Sequence, residues 1–411
     1  SLIIKKCVDM SLFIYFSHEC PVKIWGLTSA KRIEKVLKGT GKKSISGDLS
    51  TLQESDSVLI LRGDYLFDDR LVKYLSTTPN IALMLEDDQR EIAVAAHVPA
   101  RLALQALAVI EEKALASSLT DIQLQTRDTI SISFENVLRK FEPPFVLPIT
   151  AEKKQDLERR LFDWSYKGIT DLVTKWAWPR PARLVVGYCV RFNLRPNHVT
   201  LVGLFLTIIA GMFFAKGYYG MGLLAGWLMT FLDTVDGKLA RVTVTSSKFG
   251  HYFDHIIDLV HPPIWYIYWG LGLTAAQLPN LGFNLDTLFY AIMIGYVVGR
   301  LVEGSFRWFL EKSFGIFCWQ PIDSFFRLIT ARRNPCLIFL TLSVFAGRPE
   351  LGLLAVTFWT VATSVFLLGR FMLAANERFS EGLLRSWLSD ADKSMYEGSL
   401  AVRWFTRHTT K

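Results

Sequence analysis

Short apolar runs fill the front of the chain, and long apolar stretches replace them from about residue 198 onward. In the front part, SLFIYF (11–16), PVKIWGL (21–27), SVLILRG (57–63) and NIALMLE (80–86) have the length and composition of buried strands. Between them, TSAKRIEKVLKGTG (28–41) and LFDDRLVKYLSTT (66–78) repeat their apolar positions with helical period, and ARLALQALAVIEEKALASS (100–118) reads as a further amphipathic helix. Strands alternating with helices predict a soluble α/β domain of Rossmann type with a largely parallel sheet, over residues 1–145. Three prolines in FEPPFVLPIT (141–150) interrupt the pattern and mark a linker.

Residues 146–195 combine that linker with a stretch rich in Lys, Arg and Trp, which predicts an amphipathic helix lying along a membrane surface. Beyond it, the apolar segments 199–215, 219–240, 249–273, 284–305, 335–347 and 351–372 predict an α-helical membrane domain of six spans over 196–375, followed by a basic tail at 376–411. The turns near 216–220, 274–283 and 347–350 carry only Lys216 and Arg348, whereas the other side holds Arg241, Lys248, Arg307, Lys312, Arg327, Arg332 and Arg333. The positive-inside rule puts that basic side, with both termini, in the cytoplasm of a multi-pass cell or inner-membrane protein.

Composition adds little to this division. The 411 residues allow two or three domains, and 51% apolar with 13% aromatic residues is an average over two unlike parts. Cys7, Cys20, Cys189, Cys318 and Cys336 have no paired spacing, which speaks against a disulfide framework or a thiolate metal site. The opening residues show no basic, apolar, small-residue leader, so no cleavable signal is expected in them.

The candidate chemistry lies in FLDTVDGKLARVTVTSSKFGHYFDHIID (231–258), where four aspartates stand between strongly apolar segments. A carboxylate at mid-bilayer costs about 2.5–3.5 kcal/mol on insertion scales, so these acids imply function. Asp233 and Asp236 share a helix face, Gly237 and Ala240 continue it with almost no side chain, and Gly250, Asp254 and Asp258 recur every four residues on a second helix. If the two helices pack together, four carboxylates converge, and two hard divalent cations, Mg²⁺ or Mn²⁺, suit such a donor set. Arg241 stands near enough in sequence to grip a phosphate, and Lys248 near enough to assist. His251, His255 and His261 offer a rival base, but are read as neighbours of the site or as interfacial groups.

This stretch resembles the CDP-alcohol phosphotransferase (phosphatidyltransferase) family, whose signature D-x-x-D-G-x-x-A-R, eight residues, G-x-x-x-D-x-x-x-D it meets without a gap. RPNHVT (195–200) similarly resembles the Pro-Asn-x-x-Thr that opens the family's first span. The resemblance implies metal ligation by Asp233, Asp236, Asp254 and Asp258, with Asp258 also the general base. It implies contacts to the CDP or CMP moiety by Gly237, Ala240, Arg241 and Gly250. The implied reaction transfers a phosphatidyl group from CDP-diacylglycerol, or a related CDP-alcohol, to a polar alcohol, releasing CMP. Arg300, Arg332 and Arg333 are the candidates for holding an acceptor phosphate, such as that of inositol phosphate or glycerol phosphate. Membrane lipids and a second copy in a homodimer are the other implied partners, and nucleic acid is not among them.

Some members of the family carry a cytidylyltransferase in front. VLILRGDYLFDDRLVKYL (58–75) resembles the strand-end Gly-Asp of such a nucleotidyltransferase-like domain, with Asp64 in the position of a metal ligand. The glycine-rich nucleotide loop has no equivalent in SLFIYFSHECPVKIWG, which implies a degenerate, scaffolding or regulatory domain. Three alternatives stay open: a CDP-linked head group donated to a lipid alcohol, a Mg²⁺-dependent membrane prenyltransferase, and a non-enzymatic ion or lipid carrier.

Overall fold

The computed structural model describes residues 11–38, 43–44, 49–87, 90–127, 129–130, 134–135, 140–245, 248–391, 394–396 and 398–406; at 43–44, 51, 87, 134–135, 140, 248–251, 253–254 and 394 it describes the backbone alone. The chain forms two compact units, Ser1–Ser133 with Pro143–Trp164, and Phe134–Glu142 with Ser165–Lys411.

The first unit holds strands β1 (Leu12–Ser17), β2 (Lys43–Ser44), β3 (Ser57–Arg62), β4 (Tyr65–Phe67), β5 (Ile81–Asp87), β6 (Arg90–Pro99) and β7 (Gln123–Thr126). Its helices are α1 (Ser29–Leu37), α2 (Asp69–Thr77), α3 (Ala103–Ile110) and α4 (Lys154–Trp164). A six-stranded sheet runs in the order β2-β1-β3-β6-β5-β7. Successive side chains of a strand point to opposite faces, and β3 is apolar at every position from Val58 to Leu61. Leu59 and Leu61 therefore pack with Ile33, Leu71 and Leu75 on the α1/α2 side, while Val58 and Ile60 pack with Ala106 and Ile110 of α3.

The expected Rossmann-type, largely parallel sheet is not what forms. β1 pairs in parallel with β2 and β3, and β5 with β7, but β6 lies between β3 and β5 and is antiparallel to both. Only residues 88 and 89 separate β5 from β6, and a parallel neighbour needs a crossover of about a dozen residues or more. PVKIWGL is likewise not a strand. Trp25 and Gly26 adopt positive φ (48° and 79°), and Ile24 and Leu27 close on each other in a tight reversal. Trp25 is held there through its N–H to Glu158 Oε1 at 3.1 Å and its indole N–H to Glu158 O at 2.8 Å. Tertiary contacts outweigh the β propensity of the run.

In the second unit, α5 (Pro179–Arg191) precedes α6 (Pro196–Ala215), α7 (Tyr219–Val242), α8 (Lys248–Leu271), α9 (Leu285–Ser305), α10 (Pro321–Ile329), α11 (Arg333–Phe345), α12 (Pro349–Glu381) and α13 (Leu400–Phe405). The expected six spans reduce to three. Among the described residues, only Pro196–Ala215, Leu285–Leu310 and Pro349–Glu381 are long and apolar enough to cross a membrane. A fourth is reached if α10 and α11, bent by 43°, count as one broken span. The segment expected at 335–347 is the short α11, whose 13 residues fall below the roughly 20 that a bilayer needs. Helix α7 has the length, but Asp233, Asp236, Lys238 and Arg241 dilute the apolar character of its second half.

These candidate spans mark the second unit as that of a membrane protein. Helix α6 shows why in its two faces. Gly203, Thr207, Ala210 and Gly211 are buried, and at Gly211 an added Cβ would stand 3.0 Å from the Tyr268 ring of α8, so the small residue there lets the two helices approach closely, while Leu201, Phe205, Ile208 and Met212 are exposed. Helices α9 and α12 use the same device, with Gly295 and Gly299 facing Thr360 and Ser364.

Candidate active site

Charged side chains of α7, α8 and α11 meet in the second unit. Asp233 and Asp236 lie one turn apart on α7, and Asp258 lies on α8. Arg333, the first residue of α11, bridges the two helices: its Nη2 donates to Asp233 Oδ2 and its Nη1 to Asp258 Oδ1, each at 2.5 Å. Met229 Sδ stands 3.5 Å from the same Nη1. Asp236 is buried and accepts the hydroxyl of Thr200, near the start of α6, at 2.6 Å. A cavity of about 10 Å³, room for roughly one water molecule, lies among Thr200, Gly203, Met229, Asp233 and Asp236.

Gly237, Ala240 and Arg241 continue α7 beyond this cluster. At Gly237 an added Cβ would meet only the Arg241 guanidinium, at 3.8 Å, so packing within the protein does not require glycine there. Arg241 Nη1 donates to Ser165 O at 3.2 Å. Lys238 Nζ donates to the same oxygen at 3.2 Å and stands 3.5 Å from the centre of the Tyr166 ring. Ala240 is half-buried on α7. Gly250 and Asp254 are placed on α8 by their backbone, and otherwise lie outside the described residues.

The three candidate acceptor arginines separate. Arg300 Nη2 pairs with Glu303 Oε1 at 2.6 Å, and Arg332 pairs with the other oxygen of Glu303. Arg333 alone joins the aspartates. Of the histidines, His261 is buried against Trp265, with Nδ1 2.7 Å from Ile257 O; His255 is exposed; the His251 side chain is outside the described residues. In the first unit, Asp64 is gripped by Arg62 through Nε at 3.0 Å and Nη2 at 2.7 Å, while Arg62 Nη1 reaches Glu112 at 2.8 Å.

Two neighbours escaped the sequence reading. Thr200 lies 36 positions before its partner Asp236, and its one signal was its place in RPNHVT. Asn334, next to Arg333, donates to Asp171 Oδ1 at 2.9 Å and tethers α11 to the stretch before α5. Burial pushes the Asp171 carboxyl up, but Arg327, the Thr174 N–H and the Asn334 amide outweigh it and hold it below the ordinary carboxylate value. No sequence spacing announces that pairing.

The donor set fits a hard cation: the carboxyl groups of Asp233, Asp236 and Asp258 stand in one cluster, and such ions take oxygen donors. Among the described residues, no three acids are drawn together tightly enough to form a ready-made metal cluster.

With that geometry in view, the known proteins bear on it directly. Residues 193–331 match the CDP-alcohol phosphatidyltransferase family. The match encloses the acids of α7 and α8. Over 69 residues the chain is 40% identical to archaetidylinositol phosphate synthase of Pyrococcus horikoshii, covering 16% of this chain and 35% of that protein. Over 108 residues it is 40% identical to CDP-diacylglycerol–serine O-phosphatidyltransferase of Helicobacter pylori, covering 26% and 41%. Over 161 residues it is 28% identical to cholinephosphotransferase 1 of Xenopus laevis, covering 36% and 37%. The chain thus spans about a third to two fifths of the length of the curated relatives it matches.

Proposed function

We propose that the second unit transfers a phosphatidyl-type group from a CDP-linked lipid, CDP-diacylglycerol, to a polar alcohol and releases CMP. One observation carries the reading: acids of two neighbouring helices are turned toward each other across the single guanidinium of Arg333. Asp233, Asp236, Asp254 and Asp258 would hold two divalent ions, Mg²⁺ or Mn²⁺, which when bound supply positive charge to the diphosphate. Gly237 and Ala240 leave space beside the acids for the nucleotide, and Arg241 offers it a cation. Asp258 takes the proton of the acceptor hydroxyl as that oxygen attacks the lipid-bearing phosphorus; the diphosphate bond breaks, and CMP departs with the bonding electrons. Positioning and charge stabilisation carry most of the acceleration in such transfers.

Arg333 connects donor and acceptor sides. An acceptor phosphate would draw the guanidinium off Asp258 and free that carboxylate oxygen for the hydroxyl proton. A phosphorylated polyol is therefore the proposed acceptor, inositol phosphate or glycerol phosphate. The likeness to archaetidylinositol phosphate synthase supports it. The likeness to cholinephosphotransferase 1 favours a second reading, in which a CDP-linked head group is donated to a lipid alcohol. The basic residues that flank α7 and α8 support a site opening toward the cytoplasm. The first unit is read as non-catalytic support, since Asp64 is already engaged by Arg62.

Purified protein with labelled CDP-diacylglycerol, Mn²⁺ and a panel of acceptors tests the reading by CMP release. CDP-choline with diacylglycerol runs as the reversed arm, and a prenyl diphosphate as the control for a different transferase class. Asp258→Asn should fold normally and release no CMP; turnover equal to the unsubstituted protein would remove Asp258 as the base.

A further inference from the structure

A second cavity, of about 230 Å³, lies apart from the aspartates, between the stretch that precedes α5 and the last helix α13. Three of its lining residues are basic, Lys167, Lys175 and Arg403, and none is acidic. Basic side chains lining one space favour an anion in it. Lys175 is fixed in place, donating to Gly168 O at 2.9 Å with its ammonium 5.2 Å from the centre of the Phe405 ring. The volume falls below the roughly 300–1,000 Å³ of pockets that enclose drug-sized ligands. A phosphate group with its substituent fits such a space.

The surroundings indicate what presents that phosphate. Trp176 and Trp404 line the same cavity edge to face, 5.2 Å apart, and remain 54% and 43% exposed. Helix α5 begins at the cavity with Pro179, and it has two apolar faces. Ala182, Val186 and Cys189 are buried against the protein, while Leu184, Tyr188 and Phe192, four residues apart, are 66%, 60% and 67% exposed. An outward apolar stripe flanked by Arg180, Arg183 and Arg191 belongs in the headgroup region of a bilayer. Tryptophans concentrate at the same depth.

We propose that this pocket binds the phosphate of an anionic lipid headgroup, an anchoring site separate from the aspartate cluster and independent of the transferase reading. Lysine and arginine at a membrane surface recognise that chemistry, and the aromatic rims hold the glycerol end of the lipid at the pocket mouth.

Thermal unfolding of the full chain in detergent tests it, with dioctanoyl phosphatidic acid, dioctanoyl phosphatidylcholine and inorganic phosphate as probes. Phosphatidic acid should raise the unfolding midpoint in a saturable way, and phosphatidylcholine at equal concentration should not. Lys167→Gln with Arg403→Gln should raise the half-saturating phosphatidic acid concentration roughly tenfold or more, read as the shift from each protein's own ligand-free midpoint. Arg403→Gln alone, at an exposed side chain, gives the same readout in smaller measure if the double variant folds poorly. Equal stabilisation by inorganic phosphate, lost in the same variants, would support the anion pocket and assign it a soluble source. An effect indifferent to Lys167 and Arg403, or equal for phosphatidylcholine, would overturn the proposal. So would loss of the effect in Asp258→Asn, which would put the binding at the acids instead.

Discussion

Replacing Arg333 with methionine keeps an apolar stem of similar reach and removes the cation that Asp233 and Asp258 share. Removing one partner from a buried ion pair costs about 3–5 kcal/mol. Here Arg333 is 13% exposed, Asp233 20% and Asp258 35%, so solvent screens part of the loss. About 2–3 kcal/mol remains, after discounting as for surface pairs. For a unit of this size that corresponds to a midpoint lower by about 4–12 °C, measured in detergent with chelator present. Addition of Mn²⁺ should then raise the midpoint of Arg333→Met by more than that of the unsubstituted protein, because a divalent ion and the guanidinium compete for the same carboxylate oxygens. Two results would refute the reasoning: no loss of stability under chelator, or an equal Mn²⁺ effect in both proteins. Either would mean that Arg333 does not hold these acids in solution.

Gly237→Ala should fold with an unchanged midpoint, since its Cβ meets only Arg241 at 3.8 Å, yet lose affinity for CMP in a titration by calorimetry. Thr200→Val removes the hydroxyl that Asp236 accepts at 2.6 Å, and should cost about 1.5–3 kcal/mol, read from denaturation. Asp171 stabilises the fold above the unfolded carboxyl value of about 3.9, and that contribution is lost as the pH falls toward its lower folded value. Asp171→Asn should therefore be less stable at neutral pH, and its midpoint should change less between pH 5 and pH 3 in a thermal melt series.

That Asp233 and Asp258 lie on facing helix surfaces was legible because a helix repeats its faces every three or four residues, and the sequence kept that period on both sides of one short turn. Their partners were not. Arg333 lies 100 positions from Asp233 and 75 from Asp258, and only the packed bundle could bring it to the aspartates and set it apart from Arg300 and Arg332. In the first unit β1, β3 and β5 were readable from their apolar runs, but β6 was not. Its Ala-rich centre, AVAA, has weak strand character, and burial between β3 and β5 supplies what propensity lacks. The count of spans failed for a related reason. Apolar length identified α6, α9 and α12, whereas α11 breaks from α10 by 43°, and the charges of α7 make its membrane depth a matter of packing.

Arg332 and Arg333 are consecutive, yet one grips Glu303 of α9 and the other Asp233 of α7 with Asp258 of α8. Arg332 is the extended residue before α11 (φ −121°, ψ 175°) and Arg333 its first helical residue, so the two side chains leave the chain in different directions. A one-residue insertion or deletion in the short joint between α10 and α11 would therefore rotate the wrong arginine toward each carboxylate. Length at that joint is a fixed phase, and chains descended from this one can vary its residues far more freely than their number.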